Sequence, residues 1–186
     1  MNIFCKDKSN FDLEGTKRQL NIWMNMNYGK RGSEFQYYFV KRKILASPFL
    51  GDDIKEYKLY CFNGKPKYII FKSLLNENTH TYIYNFYDFN WKLTDLEIDS
   101  SQYIRKPDLS IEKPKNFDLM IEYAEKLSKE FVFVRVDLME AKGILYLTEL
   151  TFSPFNLEVP FKDEAHRIYL GSLIDLTKIK PSLFVK

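Results

Sequence analysis

The chain has 186 residues, of which 45% are hydrophobic, 17% aromatic and 28% charged, the balance of one globular domain or one lobe with part of another. Its 28 basic and 25 acidic residues leave a net charge of +3, and no basic run exceeds Lys41-Arg42-Lys43. That mixture excludes the clustered basic face of a nucleic-acid binder, and no apolar run approaches the roughly 18 residues of a membrane span.

Asn2 to Lys6 reads as a short strand. Ser9 or Asn10 offers a helix cap, with Asp12 and Glu14 in the first turn, where the helix dipole favours acid. Phe11, Leu13, Leu20, Trp23 and Met24 are spaced for one face of a helix that ends near Asn27 and is stopped by Tyr28 to Gly32. Ile44 to Leu50 is extended and interrupted by Pro48, hence a connector or an edge strand.

Glu56 to Phe62 alternates, Asn63-Gly64 is a strong turn dipeptide, and Lys67 to Leu74 alternates again, which predicts a β-hairpin. Thr79 to Phe86 is a further strand, and Tyr87 to Trp91 turns away from it. Leu93 to Asn116 is polar, with two prolines, and reads as loop. Phe117 to Glu130 predicts a helix with Leu119, Met120, Tyr123, Leu127 and Phe131 facing the core. A second hairpin follows, then a loop over Thr151 to Phe161 and a short helix over Asp163 to Asp175.

Cys5 and Cys61 are far apart in a chain whose N-terminus, MNIFCKDKSN, lacks the plan of a signal peptide; buried free thiols and a cytoplasmic location are expected. Neither His80 nor His166 has a companion at zinc-ligand spacing, so no zinc site is expected.

The second hairpin raises the functional question. VRVDLMEAKGILYLTEL, Val134 to Leu150, carries Arg135, Asp137 and Glu149 inside apolar runs. A three-residue loop, Ala141-Lys142-Gly143, predicts that Glu140 pairs with Ile144, Asp137 with Leu147 and Arg135 with Glu149. Period-2 alternation then puts Arg135, Asp137, Glu149 and Thr151 on one face. Val134, Val136, Leu138, Tyr146, Thr148 and Leu150 form the other face, against the helix. Asp137 and Glu149 become diagonal neighbours, able to reach a common hard cation such as Mg2+. A one-residue slip would separate them. The competing reading of the same spacing is a solvated sheet face with an Arg135–Glu149 cross-strand ion pair.

RVDL, a turn, and YLTELTFSP resemble the last two core strands of ATP-grasp ligases, an Arg-x-Asp strand followed by a Glu-x-Asn strand. With IFCKDKSNFD, EYKLYCFNGKPKYI and FYDFNW, the chain from Ile3 to Phe161 is similar to the TupA-like, or teichuronopeptide-biosynthesis, ATP-grasp family. The resemblance implies an α+β, ATP-grasp-like fold: an antiparallel sheet lobe with helices on one side over residues 47–186, and the end of a smaller α+β lobe over residues 1–46. It implies ATP and Mg2+ as cofactors, with the metal held by Asp137, Glu149 and Thr151. Arg135 would be catalytic, steadying an acyl phosphate and the intermediate formed from it. Lys58 would approach the phosphates, and Ser153 and Asn156 the substrate.

The activity implied is an ATP-dependent carboxylate–amine ligase, or its C-terminal part, in bacterial surface-polysaccharide, capsule or cell-wall polymer synthesis. A sugar uronate and an amino acid would suit as substrates, and a second copy or a complementing N-terminal partner would suit as protein partner. The alternative is a non-catalytic remnant or partner-binding module that keeps the fold.

Overall fold

Asn63 and Gly64 both take left-handed backbone angles, φ 51° and 78°, the geometry of a two-residue hairpin turn whose twist matches its strands. A side chain at position 64 would also press on the backbone of Lys129, 3.1 Å from its Cα, so the turn is closely packed. In the computed structural model, which describes residues 3–26, 35–51 and 54–179, this turn joins β1 (Lys55–Phe62) to β2 (Lys65–Asn76). The alternation in the sequence predicts both strands to within a few residues.

Four further strands complete a mixed sheet: β3 (Thr81–Tyr87), β4 (Tyr103–Ile104), β5 (Phe133–Ala141) and β6 (Ile144–Thr151), in the order β4-β3-β2-β1-β5-β6. All neighbours are antiparallel except β3 and β4. The described residues also form three α-helices, α1 (Leu13–Asn25), α2 (Phe117–Ser128) and α3 (Glu164–Ser172). The protein is an α+β fold built on a mixed six-stranded sheet.

The chain divides into two compact units, Met1–Asp52 and Asp53–Lys186. In the first, Asp12 caps α1, its side chain accepting the Gly15 N–H at 2.7 Å. Ser9 and Asn10, expected to cap this helix, instead form a 3-10 turn whose own cap is Asp7. The strand expected from Asn2 to Lys6 does not form over residues 3–6, and no other strand lies among the described residues of this unit to pair with them. The expected stop at Tyr28 to Gly32 lies outside the described residues. Ile44 to Leu50 is a connector without regular structure.

In the second unit both faces of the sheet are covered. Leu59, Cys61, Ile69, Phe71, Val134, Val136 and Leu138 meet α2 through Phe117, Met120 and Ala124. Met120 and Leu127 face the core as expected, joined by Phe117, Ala124 and Ser128, whereas Leu119, Tyr123 and Phe131 are exposed. The buried stripe thus runs Phe117, Met120, Ala124 and Ser128, at the spacing of three to four residues that places side chains on one helix face. On the opposite face Tyr60, Phe62, Ile70, Tyr84 and Phe86 are covered by Leu96, Ile98 and Leu170 of α3.

The polar stretch after β3 holds its place through buried Asn85. Its amide nitrogen donates to the Lys106 carbonyl at 3.0 Å, and its oxygen accepts the Lys106 N–H at 2.9 Å. This double bond-pair mimics a ladder and sits beside short β4, the one strand that sequence reading leaves as loop.

Candidate functional site

The β5–β6 hairpin closes on two residues rather than three. Lys142 (φ 52°) and Gly143 (φ 76°) form the turn, and Ala141 pairs with Ile144. Relative to the expected register this is a slip of one residue, enough to put Asp137 and Glu149 on opposite faces. A β-bulge adds a second shift of one residue and so restores the parity. Leu138 pairs with Leu147, the next step pairs Asp137 with Glu149, and Thr148 is left over. The bulge re-aims the strand, and the Thr148 hydroxyl secures it by donating to the Asp137 carbonyl at 3.0 Å.

Asp137 therefore faces Glu149 directly, and Arg135 faces Thr151. These replace the expected Asp137–Leu147 and Arg135–Glu149 pairs, and all four residues still share one face. Tyr146 moves to that face as well, since it pairs with Met139 and not with a core residue. Leu145 takes its place against the α2-side core.

The charges on this face are not a solvated sheet surface. Asp137 is 1% exposed and Arg135 8%. Charges at such depth persist only when paired and hydrogen-bonded. Arg135 grips Asp137 with a fork, Nε to Oδ1 at 2.7 Å and Nη2 to Oδ2 at 2.8 Å, and Nη2 also donates to Thr151 Oγ1 at 3.0 Å. Lys58, opposite Asp137 on β1, donates to Oδ2 at 2.6 Å. Burial alone would push the Arg135 proton off, but its hydrogen bonds to Asp137 and the Asp137 charge outweigh that, and its pKa lies above the ordinary arginine value.

Two tyrosines border the fork. Tyr60 pairs with Arg135 across β1–β5, and its buried hydroxyl has no hydrogen bond of good geometry among the described residues. Burial raises its pKa, an effect that the neighbouring Arg135 charge partly offsets, and buried Tyr84 behaves in the same way.

Sequence reasoning missed Glu56 and Lys72. Glu56 shares a face with Lys58 by period-2 alternation along EYKLYCF, the signal that identifies it. Its carboxylate accepts from Lys72 at 2.7 Å and lies 3.4 Å from Lys58 Nζ. Lys72 in turn sits over the Tyr82 ring, 4.3 Å from its centre. The polar face thus runs from exposed Glu149 through Asp137 and Lys58 to half-buried Glu56.

Ser153 is buried and its hydroxyl has no partner among the described residues. The Asn156 side chain lies outside the described part of the structure. Elsewhere, Cys5 and Cys61 are free thiols, the latter buried. His166 lies on α3 with Nε2 3.4 Å from Asp95, and Lys65 and Lys67 beside the first turn are exposed.

Chemically, the face offers hard oxygen ligands beside fixed cations. Mg2+ is commonly held by one or two carboxylates together with substrate phosphates. On this face the carboxylates are Asp137 and Glu149, the hydroxyl beside them is that of Thr151, and the cations are Arg135 and Lys58. Among the described residues no group of three or more His, Cys, Asp or Glu could hold a metal ion. The donor set fits a cation that arrives with a phosphate-bearing ligand.

No helix among the described residues is long and apolar enough to cross a membrane. Comparison with curated proteins and with solved structures finds no match. Comparison with protein families matches residues 1–175 to the family described as TupA-like ATPgrasp. At the family level this supports an ATP-binding, ATP-grasp-type ligase. That match takes in every strand of the charged face and nearly the whole of the chain, and the chain belongs to the TupA-like ATP-grasp family.

Proposed function

We propose that the protein is a carboxylate–amine ligase that works through an acyl phosphate, with the charged face of β1, β5 and β6 as its phosphate and metal site. The observation that carries this reading is the buried Lys58–Asp137–Arg135 cluster, which opens directly on Glu149. A protein gains little stability from burying such a group for its own sake. A reaction that gathers phosphate charge gains from it, because preorganised cations stabilise that charge without reorganising during the step.

In this reading Asp137 and Glu149, with Thr151, would hold Mg2+, which would supply dispersed positive charge to the transferring phosphoryl group. A substrate carboxylate oxygen attacks the terminal phosphorus and ADP leaves. An amine then attacks the acyl carbon, and inorganic phosphate departs. Arg135, locked by its fork to Asp137, points one fixed cation at the acyl phosphate, and Lys58 adds a second near the phosphates. Ser153 and Asn156 lie on the segment after β6 that we assign to substrate. Residues 1–46 belong, in the same reading, to the smaller ATP-grasp lobe. Surface-polysaccharide or cell-wall polymer synthesis, with a sugar uronate and an amino acid as substrates, is the setting we favour from the family resemblance.

Calorimetric titration of ATP with and without Mg2+ tests the site. Mg2+-dependent binding that disappears in Glu149→Ala and in Asp137→Asn is the expected result. A folded wild-type protein that binds no nucleotide would overturn the reading and favour a non-catalytic module.

A further inference from the structure

The lone pairs of the Asp137 carboxylate are almost fully used. Oδ1 accepts from Arg135 Nε, and Oδ2 accepts from both Arg135 Nη2 and Lys58 Nζ. An ionised carboxylate offers about four acceptor sites, and at 1% exposure the remaining one does not open on solvent. A divalent cation therefore reaches Asp137 only if a resident cation withdraws.

The two residents are held very differently. Arg135 is clamped by its two-pronged bond and by Thr151 Oγ1. Lys58 makes one contact with Asp137, on a flexible four-carbon stem. A second seat waits beside it, since Glu56 Oε2 is already 3.4 Å from its ammonium. Lys72 holds that seat in place, bonding Glu56 Oε1 at 2.7 Å while resting over Tyr82.

Charge sets the condition for the exchange. Among the described residues of this sheet face, three cations (Lys58, Lys72, Arg135) meet three carboxylates (Glu56, Asp137, Glu149), so their charges balance. A bare divalent ion would add uncompensated charge to a largely buried site, which is costly. A cation accompanied by nucleotide brings its own negative charge.

We propose that Lys58 is a latch: its ammonium occupies the metal's place at Asp137 in the empty protein and moves to Glu56 when metal and nucleotide load together. This rests on the reading of Asp137 as a metal ligand. It makes Glu56 a positioning residue and makes entry of the metal conditional on the nucleotide.

The test uses the full chain with Mn2+ as probe, following the free ion by electron paramagnetic resonance with and without ATP. Wild type should bind Mn2+ alone weakly and Mn2+ with ATP much more tightly. Lys58→Met should bind Mn2+ alone about tenfold more tightly than wild type, because nothing has to be displaced. Glu56→Gln, which leaves every contact of Asp137 in place, should weaken Mn2+–ATP binding by about threefold to tenfold. In the double variant that loss should vanish, since no ammonium needs a seat. Thermal melts check folding, and Glu56→Gln alone decides if Lys58→Met does not fold.

If wild type binds Mn2+–ATP but Lys58→Met gains nothing, or Glu56→Gln loses nothing, the latch is wrong and the metal site stands. If no folded variant binds Mn2+ with ATP, both fall together.

Discussion

Asp137 stands directly opposite Glu149 because Thr148 has no partner on β5. The two-residue turn and the bulge each shift the register by one, and the shifts add to an even number, so the acidic pair stays on one face. Deleting Thr148 should give a regular ladder with the same Asp137–Glu149 pair, at the expense of one hydrogen bond, about 1 kcal/mol. Thermal unfolding together with nucleotide titration checks this. A folded deletion variant that no longer binds Mg2+–ATP would show that the bulge also sets the fine geometry.

The two carboxylates differ in what they do for stability. Asp137→Ala strands Arg135 and Lys58 in a buried site and should cost about 3–5 kcal/mol. Glu149 is exposed, so Glu149→Ala should stay within about 0.5 kcal/mol. Urea unfolding separates the two outcomes. Equal effects would mean that the cluster is not the buried network described.

Alkaline pH should weaken the fold. Burial pushes the Cys61 thiol from its ordinary 9.0 up to about 12, and buried Tyr60 and Tyr84 lie above their ordinary 10.0. A raised pKa means that the folded form keeps a proton which the unfolded chain gives up. The stability is therefore complete below about pH 9 and is lost as pH rises towards the folded values, by at most about 1.4 kcal/mol per pH unit for each group. Urea midpoints from about pH 7.5 to about pH 10.5 should fall, and Cys61→Ala should flatten the decline.

The two thiols should also react separately. The thiolate is the reactive species, and Cys61 is both buried and raised in pKa, whereas Cys5 is only partly buried. A thiol-specific reagent at neutral pH should label Cys5 in the native protein and Cys61 only after denaturation. Equal rates for both would contradict the packing of β1 against α2.

The α2 face can be probed by truncation. Met120 is fully buried and Leu119 is not, so Met120→Ala should cost about 2–5 kcal/mol and Leu119→Ala far less. The reverse order would contradict the burial of Met120 against the sheet.

Much of this protein is legible in its sequence because the signals are local. Asn63-Gly64 demands a turn with positive φ at both positions, and only a tight hairpin satisfies it. The alternation on either side then gives β1 and β2. RVDL and YLTEL place their charges at even spacing, so a shared face for Arg135, Asp137, Glu149 and Thr151 follows from parity under several registers. The family resemblance came from the same motifs. Tertiary structure alone decided the rest. Which residue faces Asp137 depends on a bulge whose cause is the fit of two whole strands, and no single dipeptide announces it. The burial of Ala124 and Ser128 in place of Leu119 and Tyr123 depends on how α2 meets the sheet, which apolar spacing does not record. The Glu56–Lys58–Asp137–Arg135 chain joins β1 to β5 across about eighty residues of sequence, so ion pairing could be recognised only once the strands lay side by side. Periodicity is a property of one strand; register and burial of charge belong to pairs of strands, because both depend on what lies opposite.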